Sequence, residues 1–381
     1  MNQIKQLHAH CLKTGLDETK DLLQRLLRVP NLVYARKLFD HHRSPCIFLY
    51  NKLIQAYSIH DQPHESISLF NLLSLDGLRP NHHTFNFVFA ASASASISSV
   101  RTLRVLHSQF IRSGFESDSF CCTALVTGYA KVGALCCARR VFDEMPNRDV
   151  PVWNAMITVY KSQGDMKAAM ELFDSMPCKN VVSWTSVISG FCQNGNYSKA
   201  LTMFLCMEKD KSVKPNHITV TSVLPACANL GALEIGRRLE RYARENGFFD
   251  NIYVSNAMLE MYSKCGMIDV AKRFFHEIGK QRNLCSWNSM ISSLATHGKH
   301  DQALELYAQM LREGGKPDAV TFVGLLLACV HGVEVHNFTV QDKSHPRSYE
   351  IYQVLEEITR RIKPDKSYFD SETMTESVEL M

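Results

Sequence analysis

The stretch VPVWNAMITVYKSQGDMKAAMELFDSMPCKN, residues 150–180, contains two helical patterns separated by a break in the chain. In its first half, apolar side chains recur at i, i+3, i+4 and i+7 from Trp153 to Tyr160, which is the spacing of one helix face. A Gly-Asp pair at 164–165 interrupts this pattern, and a second apolar stripe follows before a Met-Pro pair at 176–177 ends it. A hairpin of two such helices cannot bury both of its faces, so we expect it to stack against further copies of itself.

The same pattern recurs along most of the chain with a period of 31 to 36 residues. Its clearest marker is an Ala or Ser followed four positions later by an aromatic residue, a pattern that is typical of a helix crossing in a core. These pairs are Ala35/Phe39, Ser66/Phe70, Ala138/Phe142, Ala169/Phe173, Ala200/Phe204, Ala271/Phe275 and Ala303/Tyr307. A second marker, an aromatic residue followed by a polar one, includes all three tryptophans: Tyr50-Asn51, Trp153-Asn154, Trp184-Thr185 and Trp287-Asn288.

The markers divide the chain into eight complete repeats. These cover residues 47–81, 82–118, 119–149, 150–180, 181–216, 217–251, 252–283 and 284–318. Residues 1–46 contain degenerate partial repeats, and residues 319–332 begin a truncated repeat without a second helical pattern. The predicted fold class is therefore all-α, an α-solenoid superhelix of stacked helix-turn-helix repeats.

The composition excludes several classes of protein and offers no sign of catalysis. Of the 381 residues, 45% are hydrophobic and 21% are charged, which excludes a disordered, collagen-like or disulfide-scaffold chain. The 13 cysteines include no C-x-x-C pair, and the common nucleotide-binding, hydrolase and metalloprotease motifs are absent from the sequence. No apolar run approaches the roughly 20 residues of a membrane span. We therefore expect no enzyme activity, catalytic residue, metal, cofactor, small-molecule substrate or membrane association.

The repeat sequences distinguish between two kinds of helical hairpin with periods near 34 residues. The tetratricopeptide type usually binds peptides, and the pentatricopeptide type binds single-stranded RNA. Residues 181–216 and 284–318 resemble the standard pentatricopeptide repeat, residues 217–251 its long variant and residues 252–283 its short variant. Mixed standard, long and short repeats mark the PLS class of land-plant pentatricopeptide repeat (PPR) proteins, which the chain resembles over nearly its whole length.

The resemblance implies that each repeat addresses one RNA base through its fifth and its last residue. It assigns this base-reading role to Asn51/Asn81, Asn86/Asp118, Thr123/Asp149, Asn154/Asn180, Thr185/Asn216, Thr221/Asn251, Asn256/Asn283 and Asn288/Asp318. All eight fifth residues are Asn or Thr, and amide, hydroxyl and carboxylate groups can distinguish base edges. The alternative is that the fifth residues merely face solvent and that the terminal Asn or Asp caps the next helix.

The family's code translates these pairs into a preferred RNA. Thr with Asp implies G, Thr with Asn implies A, Asn with Asp implies U, and Asn with Asn implies C or U. With Y for a pyrimidine and parentheses for the weakly reading long repeats, the RNA is Y-(U)-G-Y-A-(A)-Y-U from 5′ to 3′. Second-position side chains are expected to flank the bases, namely Phe48, Phe120, Val182, Ile218 and Tyr253. Because the net charge is only +4, we expect a modest salt dependence of binding.

Residues 333–363 resemble the E+ type C-terminal motif of the PLS class. Closing repeats and E motifs normally precede that motif, and we expect them to be missing between residues 332 and 333. The sequence lacks the signature of the DYW deaminase domain, H-x-E followed by P-C-x-x-C. Residues 364–381 are expected to form a disordered tail.

The resemblance implies that the chain binds organellar single-stranded RNA and acts as a site-recognition factor for C-to-U editing, with a DYW-type deaminase supplied by another protein. A splicing or RNA-stability factor using the same groove is one alternative, and a helical scaffold that binds proteins is another. The resemblance implies a location in the mitochondrion or the plastid, and we expect the mitochondrion, with the chloroplast as the alternative. Residues 1–14 are amphipathic but contain no arginine, so no transit peptide is evident.

Overall fold

The computed structural model describes residues 31–42, 45–93, 99–210 and 212–332. Within these ranges the chain forms 18 α-helices and two 3-10 helices, Phe248–Asp250 and Gly279–Gln281, and no β-strand. The α-helices are α1 (Leu32–Asp40), α2 (Ile47–Ile59), α3 (Pro63–Leu75), α4 (His82–Ser92), α5 (Val100–Arg112), α6 (Ser119–Lys131), α7 (Leu135–Glu144), α8 (Val150–Ser162), α9 (Met166–Ser175), α10 (Val181–Gln193), α11 (Tyr197–Lys209), α12 (His217–Leu230), α13 (Leu233–Glu245), α14 (Ile252–Lys264), α15 (Ile268–Ile278), α16 (Leu284–Thr296), α17 (His300–Arg312) and α18 (Ala319–Gly332). None of these described helices has the length and apolarity that crossing a membrane requires. The roles expected for residues 1–30, 333–363 and 364–381 lie outside the described residues.

Side-chain capping determines where the first helix of most repeats begins. The last residue of every complete repeat caps the following helix, because its side-chain oxygen accepts a main-chain N–H from the first turn. Each such cap typically stabilises a helix by about 1 kcal/mol. As a result, α4, α6, α8, α10, α12, α14, α16 and α18 begin at the first residue of the repeats inferred from the sequence.

The described helices belong to two compact bodies. The N-terminal body contains α1–α10, and the C-terminal body contains most of α11 together with α12–α18. In the N-terminal body, the first helices of successive repeats pack side by side in the order α2, α4, α6, α8 and α10; in the C-terminal body the order is α12, α14, α16 and α18. Second helices such as α3 and α15 pack against their own first helix and that of the next repeat. These stacked hairpins confirm the predicted all-α solenoid class.

The pairs of small and aromatic residues form the core between hairpins. All seven small residues are fully buried, and the aromatic residues four positions later are at most 2% exposed, except for the half-buried Tyr307. Four of these rings pack edge-on against an aromatic residue in the first helix of the next repeat, with centroids 4.8–5.0 Å apart: Phe39–Tyr50, Phe142–Trp153, Phe173–Trp184 and Phe275–Trp287. A cation lies over three of the same rings, supplied by Arg148, Lys179 and Arg282.

Candidate nucleic-acid interface

The eight fifth residues lie about one turn inside the first helix of each repeat. Five of them are only 7–8% exposed: Asn51, Asn154, Thr185, Asn256 and Asn288. The other three, Asn86, Thr123 and Thr221, are half-buried. Sequence reasoning did not anticipate this burial, which leaves a small part of each side chain accessible.

Four fifth residues are hydrogen-bonded to the last residue of their own repeat. In each case the Nδ2 of the fifth residue donates to the Oδ1 of the last one. The distances are 3.1 Å for Asn51–Asn81, 3.3 Å for Asn154–Asn180, 3.2 Å for Asn256–Asn283 and 2.9 Å for Asn288–Asp318. The structure therefore brings together half of the pairs predicted from the sequence, although 26–30 residues separate the partners.

Two pairs with a threonine at the fifth position, Thr123/Asp149 and Thr221/Asn251, are not joined in this way. The hydroxyls of Thr123 and Thr221 donate to main-chain oxygens of their own helices, at 2.8 and 2.9 Å. Asp149 caps α8 by accepting the main-chain N–H of Val152 at 3.1 Å, and Asn251 caps α14 by accepting the main-chain N–H of Tyr253 at 3.0 Å. The physical reason is that a threonine hydroxyl is short and bonds readily to its own helix, whereas an asparagine amide extends further.

The pair Asn86/Asp118, in the first long repeat, is also not bonded. Asp118 caps α6 by accepting the main-chain N–H of Cys121 at 2.9 Å. Among the described residues, no hydrogen bond links the side chains of Asn86 and Asp118. In the part of the chain that the structure describes, the fifth and last residues of the two long repeats, 82–118 and 217–251, are therefore not hydrogen-bonded to each other.

The two members of the pair Thr185/Asn216 belong to different bodies. Thr185, in the N-terminal body, is 8% exposed. Asn216, in the C-terminal body, is half-buried and caps α12 by accepting the main-chain N–H of Thr219 at 2.9 Å. The structure thus assigns Asn216 a capping role, and its pairing with Thr185 stays a prediction.

Capping determines which atom of the last residue stays available in the bonded pairs. In Asn81, Asn180 and Asn283, Oδ1 accepts both the capping N–H and the amide of the fifth residue, so the remaining terminal group is the Nδ2 donor. In Asp318, Oδ1 accepts the same two bonds, and the second terminal atom is a carboxylate oxygen, which is an acceptor. A hydrogen bond from the main-chain N–H of Thr321 lowers the pKa of Asp318, so this carboxyl group is ionised at neutral pH.

Exposed side chains lie three residues before the fifth residues, on the same helix face. The five predicted flanking residues are 38–71% exposed: Phe48, Phe120, Val182, Ile218 and Tyr253. Sequence reasoning missed His83, the second residue of repeat 82–118, which is exposed and lies nearly parallel to the ring of Phe87 at a centroid distance of 6.3 Å. Its second position in the repeat could have identified it as a flanking residue. An imidazole can stack on a base as other aromatic side chains do.

A hollow of about 790 Å³ opens at the last complete repeat of the C-terminal body. Asn288 and Asp318 line it together with Cys285 and Val320, the second residues of two successive repeats. The hollow thus combines a polar pair with second-position side chains of two successive repeats. Val323, at the fifth position of the truncated repeat, is 65% exposed and has no side-chain hydrogen-bonding group.

Two arginines in second helices form ion pairs within the protein. Arg139 forms an ion pair with Asp143 at 2.8 Å, and Arg238 forms one with Glu208 at 2.6 Å. These ion pairs partly neutralise the positive charge of the second helices. In the part of the chain that the structure describes, no group of three His, Cys, Asp or Glu side chains is placed to hold a metal ion.

Stacked helical hairpins with recurring polar pairs define the chain as an α-solenoid repeat protein. The profile of the PPR repeat matches residues 120–150, 151–181 and 253–282, and that of the PPR repeat family matches residues 45–94, 179–229 and 282–331. The profile of the E+ motif matches residues 335–362. The chain belongs to the pentatricopeptide repeat family.

Two relatives from Arabidopsis thaliana support this assignment. One pentatricopeptide repeat-containing protein is 63% identical over 504 aligned positions, which cover 97% of this chain and 98% of the relative. Another, named chloroplastic, is 41% identical over 335 residues, which cover 87% of this chain and 73% of the relative. The 504 aligned positions exceed the 381 residues of this chain by 123, so the first relative contains at least 123 residues without a counterpart here.

A solved structure shares the fold. The maize pentatricopeptide repeat protein PPR10, in complex with an 18-nt psaJ RNA element, matches with a TM-score of 0.61 and 15% sequence identity. The match covers 86% of this chain and 50% of PPR10. A likeness at this level of identity establishes the α-solenoid architecture.

Proposed function

We propose that this chain binds single-stranded RNA in a sequence-specific manner, one base per repeat, through the fifth and last residues. The observation that carries the proposal is the hydrogen-bonded pair Asn288–Asp318, which lines a hollow flanked by Cys285 and Val320. Three other repeats contain a bonded pair of the same kind. The RNA element bound to PPR10 supports the same use of the shared fold.

The terminal groups that capping leaves available account for the predicted pyrimidines. An Asn/Asn pair offers N–H donors from both residues, and these suit the N3 and O2 acceptors of cytosine or the carbonyl oxygens of uracil. The pair Asn288/Asp318 offers one N–H donor and one carboxylate acceptor, which suit a carbonyl oxygen and the N3–H of uracil. Purine reading by the Thr repeats, through Asp149, Asn216 and Asn251 as last residues, rests on the family's code, which completes the predicted RNA Y-(U)-G-Y-A-(A)-Y-U.

Selection of bound RNAs from a random pool tests this function. We expect the enriched motif to contain a G at its third position and a U at its eighth, in the predicted polarity. Enrichment of an unrelated motif would show that the assigned residues do not read bases. Failure to retain RNA would favour the alternative of a helical scaffold that binds proteins.

Substitution of Thr123 tests the register of the repeats. Thr123→Asn replaces the pair Thr123/Asp149 with an Asn/Asp pair, so the preferred third base should shift from G towards a pyrimidine. We expect a change in relative affinity of about 1 kcal/mol, or about fivefold. It is measured as the ratio of Kd values for two RNAs that differ only at that base. The control is Thr127→Asn, the same change one turn later on an exposed face. A shift at a different base in the Thr123→Asn variant would show that the register is wrong.

We further propose that RNA binding serves site recognition for C-to-U editing in an organelle, with a separate DYW-type deaminase. The E+ motif at residues 335–362 supports this role. Sequencing of organellar transcripts from plants that lack the protein distinguishes it from the splicing or stability alternative. Loss of conversion at particular cytidines supports editing, whereas unspliced or depleted transcripts with intact conversion support the alternative.

We propose the mitochondrion as the location, with the chloroplast as the alternative. Relatives named chloroplastic or chloroplastic/mitochondrial support an organellar location in general. Imaging of a fluorescent fusion to the full chain in plant cells separates the two organelles. A signal confined to the nucleus or cytosol would contradict both.

A further inference from the structure

A buried hydroxyl group accompanies each of the four hydrogen-bonded pairs. It belongs to the third residue of the following repeat, at Thr84, Ser183, Ser286 or Thr321, and all four side chains are fully buried. Each hydroxyl oxygen accepts the main-chain N–H of the preceding last residue, at 3.0–3.2 Å, and so takes part in the helix cap.

Three of these hydroxyls also reach the fifth residue of the preceding repeat. Thr84 Oγ1 donates to Asn51 Oδ1 at 2.7 Å, and Ser286 Oγ donates to Asn256 Oδ1 at 2.7 Å. Thr321 Oγ1 donates to Asn288 Oδ1 at 2.6 Å. A hydroxyl has one proton, and these distances are shorter than the 2.9–3.0 Å from the same oxygens to the last residue. The proton therefore lies on the bond to the fifth residue.

This bond determines which way the amide of the fifth residue faces. An amide offers an acceptor at one terminal atom and two donors at the other. Because the hydroxyl donates to Oδ1, the Nδ2 of the same amide is directed to the last residue, and its second N–H remains for a base. A reversed amide would place its oxygen against the Oδ1 of the last residue, so the hydroxyl and the last residue together exclude that orientation.

Ser183 provides a natural comparison. In the part of the chain that the structure describes, its hydroxyl bonds only to Asn180, and Asn154 Oδ1 is buried without a hydrogen-bond partner. The Nδ2–Oδ1 distance between Asn154 and Asn180 is 3.3 Å, the longest of the four. The amide of Asn154 is therefore held at one end, whereas those of Asn51, Asn256 and Asn288 are held at both.

The long repeat 82–118 provides a second comparison. Its fifth residue is Asn86, but the third residue of the next repeat is Cys121, whose thiol donates to the main-chain oxygen of His82 at 3.1 Å. No hydrogen bond joins Asn86 to Asp118 among the described residues. In this one repeat the hydroxyl is missing, and the Asn at the fifth position is not paired with the last residue.

We propose that the third-residue hydroxyl of the following repeat is a positioning residue for base reading, so that each reading unit spans two repeats. This inference rests on the proposed RNA-binding function. Ser286 orients the amide of Asn256, Thr84 that of Asn51 and Thr321 that of Asn288. Repeats that have this hydroxyl bond discriminate between bases more sharply than those that lack it.

Two matched substitutions test the proposal. Ser286→Ala removes a hydroxyl that bonds to the fifth residue, and Ser183→Ala removes one that does not. Each substituted serine lies three residues after the last residue of an Asn/Asn pair, and each substitution removes a capping box. A similar decrease in Tm is therefore expected for the two alanine variants. Ser286→Ala should reduce the preference for a pyrimidine over a purine at the seventh base by about threefold to tenfold. Ser183→Ala should leave the preference at the fourth base unchanged, and Ser286→Thr should retain it at the seventh.

Equal loss of base preference in the two alanine variants, or no loss in Ser286→Ala, would overturn the proposal. A measurement without RNA separates this result from failure of the proposed function. Hydrogen exchange of the Asn256 side-chain amide, followed by NMR, should accelerate in Ser286→Ala, whereas that of Asn154 should not change in Ser183→Ala. If the wild-type chain bound no RNA, accelerated exchange at Asn256 would still support the positioning role, and unchanged exchange would refute it.

Discussion

Replacement of Phe275 by alanine is expected to lower the free energy of unfolding of the C-terminal body by about 3–5 kcal/mol. Phe275 is 1% exposed and packs edge-on against Trp287 at a centroid distance of 5.0 Å. The guanidinium of Arg282 lies 4.7 Å from the same ring. Removal of the ring opens a cavity between two repeats and deprives a largely buried cation of its aromatic contact. Urea unfolding followed by circular dichroism measures the change.

Phe120→Ala is the matched control for this substitution. It removes the same atoms from a site that is 58% exposed, so the expected change in stability is within about 0.5 kcal/mol. Hydrogen exchange should accelerate in α15 and α16 of the Phe275→Ala variant, because neighbouring repeats in a solenoid stabilise one another. Equal destabilisation by the two variants would contradict the placement of Phe275 in an inter-repeat core.

The solenoid fold could be predicted from the sequence because its determinants are local and repeated. Ala169 and Phe173 are four residues apart, one helical turn, and this spacing alone places both on the buried face. Similarly, Asn180 begins α10 because an Asn before an apolar stripe is a favourable N-cap. The family resemblance then supplied the roles of the fifth and last residues, which periodicity alone does not reveal.

The detailed arrangement of the polar pairs could not be predicted from the sequence. The hydrogen bond between Asn256 and Asn283 joins residues 27 positions apart, and it depends on how α14 packs against α16. Near-complete burial of Asn256 has the same cause. The contact of Ser286 with Asn256 crosses a repeat boundary, so the sequence pattern of a single repeat does not indicate it. The flanking residues predicted from the sequence are all aliphatic, Phe or Tyr, so the polar imidazole of His83 was missed.

Asp318→Asn is expected to change the base preferred at the eighth position from uracil towards cytosine. Asn should cap α18 as well as Asp does, since Asn81 and Asn283 cap their helices in the same place. The substitution replaces an accepting carboxylate oxygen with an N–H donor. That donor would oppose the N3–H of uracil but can bond to the N3 acceptor of cytosine. We expect the difference in binding free energy between RNAs with U or C at this position to change by about 1–3 kcal/mol. This difference is obtained from the ratio of the two Kd values.

The matched control is Asp165→Asn, at the N-cap of α9. Asp165 accepts the N–H of Ala168 at 3.0 Å, so its substitution changes an N-cap in the same way at a position that is neither fifth nor last in its repeat. Both variants lose one negative charge, and this loss favours the two RNAs equally, because fewer like charges oppose the phosphates of either one. Only Asp318→Asn should alter the ratio between the two RNAs. An unchanged ratio in a folded Asp318→Asn variant would mean that the terminal group of Asp318 does not contact the base.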